Sequence, residues 1–111
     1  MGPLDQSERA SPRRFRRFPC DRGILVSYRT NDHQEMIYGR CTTISEGGLG
    51  AVVDGHLRPD QVVNIEVSLE RTPKPLHLNA RVRYNQGFNH GFEFIAPDPL
   101  YRQVIREAFS F

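Results

Sequence analysis

The stretch LHLNARVRY, residues 76–84, decides the fold that the sequence predicts. Its apolar and polar side chains alternate without a break, with the apolar ones at positions 76, 78, 80, 82 and 84. Successive side chains of a strand point to opposite faces of a sheet, so this period of two is typical of a half-buried strand. Residues 63–69 alternate in the same way. The two stretches therefore predict two strands, each with one face in a core.

Four further segments have strand character, because they are rich in β-branched and aromatic residues and lie between turn-forming residues. They span residues 24–29, 36–44, 49–53 and 90–95. The short connections between strands favour antiparallel pairing. This many short strands at close intervals predicts a mainly β fold, namely a small antiparallel β-barrel.

The pattern changes near the end of the chain, where a helix is predicted. Asp98 is suited to the N-cap and Pro99 to the first helical position. The apolar residues that follow recur at helical spacing on one face: Leu100, Val104, Ile105 and Ala108. We expect this helix to pack against the barrel or to plug one of its mouths. Phe109 and Phe111 are expected to pack on the core, with a dimer contact as the alternative.

At 111 residues the chain is long enough for one domain with a single core. Residues 1–12 mix Gly, Pro, Ser and charged residues and are predicted to be a flexible tail, so the domain is expected to span residues 13–111. The sequence has no apolar run that could span a membrane and no signal-peptide pattern, which predicts a cytoplasmic protein without membrane insertion. In a reducing cytosol, Cys20 and Cys41 are expected to be free thiols.

An arginine block, RRFRRF at residues 13–18, precedes the first predicted strand. Arginine presents a planar fork that binds phosphate or a guanine edge at two points and stacks on flat rings. Three interpretations are open: a solvated basic arm, an arm that binds nucleic acid phosphates, and one half of a site for an anionic ligand. Phe15 and Phe18 favour the last, because they can hold the block against an apolar surface of the barrel.

The second half of such a site is predicted at SEGG, residues 45–48. Ser45 offers one hydrogen-bond donor and two acceptor lone pairs. Gly47 and Gly48 permit positive φ and let a ligand approach the backbone closely. The alternative is a hairpin connection that merely needs glycine.

Catalytic chemistry is not indicated by the sequence. Thr43 stands where a G-x-S-x-G nucleophile motif needs glycine, and no Gly-Lys-Ser/Thr follows the glycine turn as a phosphate-binding P-loop requires. The four histidines, at positions 33, 56, 77 and 90, have no metal-ligand spacing, so no metal site is predicted. The acidic residues form no evident catalytic pair. We therefore expect a protein that is not an enzyme and carries no cofactor.

Arg13-x-x-x-Arg17, followed by TISEGG at residues 43–48, resembles the PilZ domain family, whose pattern is R-x-x-x-R and then [D/N]-x-S-x-x-G. Residues 48–50 and 91–94 are similar to the family's Gly-apolar continuation and to its late Gly-x-x-Phe strand. The resemblance covers residues 12–109 and implies a six-stranded antiparallel β-barrel with a C-terminal α-helix. Arg9-x-x-x-Arg13 also matches the first motif, but from Arg17 the chain leads directly into the first strand.

The resemblance implies that the ligand is cyclic di-GMP, a bacterial second messenger with two phosphates and two guanines. Arg13 and Arg17 would then bind phosphate oxygens and guanine O6 and N7, and Ser45 would hydrogen-bond the base or the sugar-phosphate. The remaining contacts expected from the resemblance are a stacking or phosphate contact from Arg14, close backbone approach at Gly47 and Gly48, and an additional contact from Arg81.

Thr43 departs from the family pattern, which has Asp or Asn at this position. Threonine offers one short hydroxyl on a stiff branched carbon, so it cannot accept two hydrogen bonds from a guanine edge as a carboxylate does. The loss of a bidentate base contact costs about 1–3 kcal/mol. Binding of the ligand is therefore expected to be weakened or lost.

Three functions remain open from the sequence. The first is a stand-alone cyclic di-GMP receptor, monomeric or weakly dimeric, that relays the signal to an unidentified effector protein. The second is a degenerate PilZ-like interaction module that does not bind nucleotide. The third is a nucleic-acid-binding barrel, against which stand the net charge of only +2 and the lack of a base-stacking aromatic set.

Overall fold

A computed structural model of the chain describes residues 15–69 and 74–109. The strands are β1 (Phe18–Thr30), β2 (His33–Ile44), β3 (Gly48–Val53), β4 (Val62–Val67), β5 (Leu76–Gln86) and β6 (Asn89–Phe94), and the helix α1 spans Pro99–Phe109. The predicted order of strands followed by one C-terminal helix is confirmed.

All of these strands pair in antiparallel fashion and close into a barrel in the order β1-β2-β3-β6-β5-β4. The ring closes where β4 pairs with β1, with Ile24 opposite Val67 and Val26 opposite Ile65. Closure gives each described strand two hydrogen-bonded neighbours, so the barrel has no open edge that could pair with another chain.

The barrel interior is filled by the apolar side chains that the alternating patterns predicted. Val63, Ile65 and Val67 of β4 are buried, and Ala80 and Val82 of β5 are fully buried. Tyr84 continues the alternation in sequence but is 48% exposed. A register shift between Val82 and Tyr84 is the reason, because it reverses the face on which the following side chain emerges.

Two strands begin several residues earlier than the sequence predicted. β1 begins at Phe18, not Ile24, because Pro19 is tolerated near the start of a strand and the ladder shifts register between Pro19 and Arg22. β2 begins at His33 because a two-residue turn, with Asn31 at a φ of 50°, continues the β1–β2 ladder without a break.

Helix α1 packs on the barrel end at which β1 begins and β6 ends. Its N-cap is Asp98, whose Oδ1 accepts a hydrogen bond of 2.8 Å from the backbone N–H of Leu100. The Tyr101 ring meets Phe94 of β6 edge-on at 5.1 Å, and the Phe109 ring stacks on Phe18 of β1 at 5.2 Å. These contacts confirm the prediction that the C-terminal helix packs against the barrel.

The face of α1 that packs on the barrel differs in part from the predicted one. Ile105 is fully buried as expected, and Val104 is half-buried. Leu100 was predicted on the buried face but is 65% exposed, and Tyr101 is buried instead. Phe111 lies outside the described residues. Within the part of the chain that the structure describes, no helix is long and apolar enough to cross a membrane.

The burial of α1 predicts how two matched truncations differ. Ile105→Ala removes a fully buried side chain and is expected to lower the free energy of unfolding by about 2–5 kcal/mol. Leu100→Ala removes an exposed side chain of the same size from the same helix, and its effect is expected to stay within about 0.5 kcal/mol. Urea unfolding of both variants measures the difference; equal losses would contradict this packing of the helix.

Candidate ligand site

A cavity of about 80 Å³ lies along the paired strands β2, β3, β6 and β5, near the end of β2 and the start of β3. It is lined by four of the predicted site residues: Arg17, Thr43, Ser45 and Gly48. Arg17 directly precedes β1, and the other three lie where β2 ends and β3 begins. Strand pairing brings the two motifs together, because Ile44 lies opposite Phe18 on one side and opposite Leu49 on the other.

The other predicted site residues are placed differently. Arg13 and Arg14 lie outside the described residues. Gly47 lies in the turn between Ser45 and Gly48, where its carbonyl oxygen accepts a hydrogen bond of 2.9 Å from the N–H of Phe94. Arg81 does not line the cavity, and its Nη1 donates a hydrogen bond of 3.3 Å to the carbonyl oxygen of Asp60.

The hydroxyl group of Ser45 organises the turn between β2 and β3. It accepts hydrogen bonds of 3.1 Å from the N–H groups of both Gly47 and Gly48, and it donates one of 3.3 Å to the Gly48 carbonyl oxygen. Ser45 is only 2% exposed. One donor and two acceptor positions are the whole capacity of a hydroxyl group, so the turn itself uses all three.

Gly48 is required by the approach of two strands. A Cβ atom at this position would lie 2.2 Å from the carbonyl oxygen of Phe92, which belongs to the neighbouring strand β6. Positive φ is not the reason for this glycine, because Gly87 is the glycine with positive φ among the described residues. Gly48 therefore has a structural role in the β3–β6 seam, whatever it also offers to a ligand.

Glu46 faces the helix through two ion pairs. Its Oε1 lies 2.9 Å from Nη1 of Arg106 and 3.5 Å from Nε of Arg102. The Glu46 side chain is only 20% exposed, so water screens these ion pairs less than it screens an ordinary pair on the surface. These arginines offset the one negative charge within the turn, so that charge opposes an anionic ligand less than an unpaired carboxylate would.

Tyr101 ties the helix to the same turn. Its hydroxyl group donates a hydrogen bond of 2.9 Å to the carbonyl oxygen of Ser45. Burial raises the pKa of Tyr101 well above its usual range, so the hydroxyl keeps its proton and remains a donor. Tyr101 was not singled out from the sequence, although its spacing of three and four residues before Val104 and Ile105 was a usable signal.

Aromatic side chains of the arginine block also contact α1. The guanidinium group of Arg102 lies 5.0 Å from the centre of the Phe15 ring, and Phe18 stacks on Phe109. The guanidinium group of Arg16 lies 5.4 Å from the centre of the Phe18 ring. The prediction that Phe15 and Phe18 hold the block on the folded domain agrees with these contacts, and the helix provides the surface.

Arg83 and Tyr84 also line the cavity, and the sequence analysis did not select them. Nη1 of Arg83 lies 3.3 Å from Oε1 of Glu93, in a pair whose two side chains are 47% and 40% exposed. The Tyr84 ring covers Gly91, since a Cβ atom on Gly91 would lie 2.1 Å from a ring carbon. The alternating pattern predicts Arg81 and Arg83 on the same face of β5. In the structure only Arg83 lines the cavity, and the register shift beside Tyr84 is the feature that distinguishes the two positions.

His90 has a structural role. It is 1% exposed, its Nδ1 lies 3.0 Å from the carbonyl oxygen of Phe88, and its Nε2 lies 3.4 Å from the backbone nitrogen of Leu57. A neutral ring with the proton on Nδ1 satisfies both contacts. Over residues 15–69 and 74–109, no group of three or more His, Cys, Asp or Glu side chains could hold a metal ion.

The family model of the PilZ domain matches residues 9–110. Because this match spans most of the 111 residues, the chain belongs to the PilZ domain family. No curated protein matches the chain.

Several solved structures share the fold, and three of them illustrate the similarity. The PilZ domain with c-di-GMP of YcgR from Escherichia coli is 16% identical, with a TM-score of 0.69 over 87% of this chain and 88% of that one. The PilZ domain of CeSA from a cellulose-synthesizing bacterium is 20% identical, with a TM-score of 0.65 over 84% and 94%. The Bacillus subtilis inhibitor of motility MotI/DgrA is 16% identical, with a TM-score of 0.67 over 86% and 47%. At identities this low, the structural similarity establishes a common fold and nothing more.

The seam between β3 and β6 predicts a large difference between two glycine substitutions. In Gly48→Ala the new methyl group meets a backbone oxygen, which cannot rotate away, so we expect a loss of stability of about 1–3 kcal/mol or more. Gly23→Ala is the matched control, because a Cβ atom there has no neighbour within 4 Å. Thermal unfolding followed by circular dichroism compares the two; a stable Gly48→Ala variant would rule out the tight seam.

Proposed function

We propose that the chain is a cyclic di-GMP receptor that relays binding to a protein partner. The observation that carries the proposal is the convergence of Arg17, Thr43 and Gly48 on one cavity, although they come from two motifs that lie far apart in the sequence. Membership of the PilZ domain family supports it. One structural neighbour, the PilZ domain of YcgR, is described as a domain with c-di-GMP.

The positive groups around the cavity suit a ligand with two phosphates. Arg17 is exposed beside the cavity, so its guanidinium group can donate two parallel hydrogen bonds to a phosphate or to a guanine edge. Arg83 is the second cationic group on the wall. Its ion pair with Glu93 is half exposed, and such pairs contribute only about 0–1 kcal/mol, so a phosphate can replace the carboxylate at little cost.

Ser45 and Gly48 act on the ligand through the shape of the turn in this proposal. The hydroxyl group of Ser45 has no unused donor or acceptor, so it positions the Gly47 and Gly48 backbone. The original expectation of a direct hydrogen bond from Ser45 to the ligand would require one of these three bonds to break.

The size of the cavity decides how the ligand would be held. At about 80 Å³ it is well below the roughly 300–1,000 Å³ of pockets that enclose small molecules. A dinucleotide would therefore lie largely on the surface, with one group inserted in the cavity. The rest of the ligand would need contacts from outside it, and Arg13 and Arg14 remain our candidates for these contacts.

The relay to a partner would run through α1, which contacts both halves of the site. The arginine block touches the helix through Phe15 and Phe18, and the turn touches it through Ser45 and Glu46. A ligand that pulls Arg17 toward the cavity would alter the contacts of its neighbours with the helix. The surface offered to an effector protein would then differ between the free and bound states.

The second candidate function is an interaction module without nucleotide binding, and Thr43 is the observation that favours it. Gly50 is the residue of β3 that pairs with Thr43. A Cβ atom built on Gly50 would lie 2.9 Å from the Thr43 hydroxyl oxygen, so the Thr43 side chain extends toward β3. It offers one hydroxyl where the family pattern has an amide or a carboxylate. The two candidate functions differ in a single measurable property, which is the affinity for cyclic di-GMP.

Isothermal titration with cyclic di-GMP tests the receptor proposal. We expect saturable binding that weakens about 10-fold to 100-fold in Arg17→Ala, the loss expected for about 1.5–3 kcal/mol of charge-assisted hydrogen bonding. Arg29→Ala is the matched control, because Arg29 is an exposed arginine at the opposite end of β1. Its affinity is expected to equal that of the unmodified chain.

Two results would contradict the receptor proposal. Absence of binding at high micromolar ligand would favour the interaction module. Equal losses in Arg17→Ala and Arg29→Ala would show that only overall charge matters. A parallel titration with a single-stranded oligonucleotide at several salt concentrations tests the nucleic-acid alternative, for which affinity should fall steeply with salt.

Substitution of Thr43 tests whether this residue limits affinity. Thr43→Asp restores the acceptor of the family pattern and is expected to tighten cyclic di-GMP binding about tenfold or more, the gain expected for one bidentate base contact. Thr43→Val keeps the branched shape but removes the hydroxyl group, so it is expected to bind no more tightly than the unmodified chain. Unchanged affinity in Thr43→Asp would mean that residue 43 does not face the base.

A further inference from the structure

Cys20 and Cys41 lie on neighbouring strands, where the β1–β2 ladder changes register. Pro19 pairs with Thr43 and Arg22 pairs with Cys41, so Cys20 falls within the irregular part of β1. Both side chains belong to the apolar interior: Cys41 is fully buried, and Cys20 packs against the core while remaining partly accessible. The two thiols are close enough to interact by a hydrogen bond.

We propose that Cys20 and Cys41 form a thiol oxidation site, at which a peroxide closes an intramolecular disulfide between β1 and β2. The two residues differ in access, which gives them different roles. Cys20 is the one that a small oxidant reaches from solvent, and Cys41 is held behind it in the core. Regular diagonal neighbours on adjacent antiparallel strands are about 7–8 Å apart, beyond the reach of a disulfide. The register shift displaces Cys20 from such a regular position, and its thiol is in hydrogen-bonding contact with Cys41.

The surroundings of the two sulfur atoms support this division of roles. A hydrogen bond with Cys41 lowers the pKa of Cys20, and the positive charge of Arg22 lowers it further, whereas burial and the charge of Asp21 oppose these effects. The same hydrogen bond and burial raise the pKa of Cys41 well above its usual range. Tyr101 of α1 also lies near both thiols and keeps its proton. Cys20 is therefore the thiol that ionises more readily, and Cys41 is the one that keeps its proton.

The reaction balances with one peroxide and two thiols. The Cys20 thiolate attacks one oxygen of hydrogen peroxide, the O–O bond breaks, and the hydroxide that leaves takes up a proton to become water. This step gives a sulfenic acid on Cys20. The Cys41 sulfur then attacks the Cys20 sulfur, the S–O bond breaks, and a second water leaves with the Cys41 proton. Two electrons pass from the two thiols to the peroxide.

The bridge would change contacts next to the candidate ligand site. The Cys41 sulfur lies 3.2 Å from the carbonyl oxygen of Thr43, which is a second acceptor, beside Cys20, for its single proton; a disulfide has no proton to donate to either. The cross-link would also fix the start of β1 to the end of β2, beside Phe18 and Thr43. The oxidation site itself does not depend on what the cavity binds.

Mass spectrometry of the reduced full chain after treatment with one equivalent of hydrogen peroxide tests the proposal. We expect both thiols to disappear together, the mass to fall by two hydrogen atoms, the chain to stay monomeric on a non-reducing gel, and dithiothreitol to reverse the change. A sulfinic acid on Cys20 with Cys41 still free, or a disulfide between two chains, would overturn it.

Two variants separate the roles of the cysteines. In Cys41→Ala the sulfenic acid on Cys20 has no partner, so we expect it to persist and to be trapped by dimedone. In Cys20→Ser the remaining thiol is buried, and we expect peroxide to leave it unmodified while the chain stays folded. Rapid oxidation of Cys41 in this variant would contradict the assignment.

The pH dependence of alkylation provides a readout that packing alone would not change. Because the pKa of Cys20 is lowered, its thiolate forms at a lower pH than that of a free thiol, and its reaction with iodoacetamide should reach half-maximal rate at a correspondingly lower pH. Loss of the hydrogen bond in Cys41→Ala should move that midpoint upward. An unchanged midpoint would show that the two thiols do not interact.

Discussion

The hydrogen bonds of the Ser45 hydroxyl group are the constraint on which the barrel end depends. They fold residues 45–48 into a turn narrow enough for β3 to start directly beside β2. The same turn presents Gly48 to β6 at a distance that no side chain could occupy. A small polar residue and a glycine at this spacing are therefore needed for the barrel to close, before any ligand is considered.

Helix α1 extends this constraint to the arginine block. The turn has two polar connections to the helix, through the Tyr101 hydroxyl group and the Glu46 carboxylate. The arginine block has two aromatic connections, at Phe15 and Phe18. Strand pairing connects the arginine block to the end of β2 only at Phe18. The helix, which lies outside the barrel, therefore fixes the position of the arginine block relative to the turn. This gives a physical reason why the fold ends in a helix at the site.

Much of the fold could be predicted from the sequence, because alternating apolar residues fix both the strands and the side of each strand that faces the core. The two motifs could also be predicted to meet, through resemblance to the family pattern. The exposure of Tyr84 could not be predicted, since it follows from a register shift that leaves no local mark. The choice between Arg81 and Arg83 depends on the same shift. The burial of Tyr101 could have been predicted, because it lies three and four residues before Val104 and Ile105, the spacing of one helical face.

The structural roles of Ser45, Glu46 and Gly48 change which residues can discriminate between ligands. Their polar groups and close contacts are already used within the protein, so they fix the shape of the turn and its position against the helix. In the proposed site, selectivity would then fall to the cavity residues whose functional groups reach the surface: Arg17, Thr43, Arg83 and Tyr84. The two arginines of the proposed site can bind a phosphate or a guanine edge, and Thr43 and Tyr84 each offer a hydroxyl group that can donate or accept a hydrogen bond. In the proposed site, the side chains on the cavity wall would therefore bear more on specificity than the glycine turn beside them.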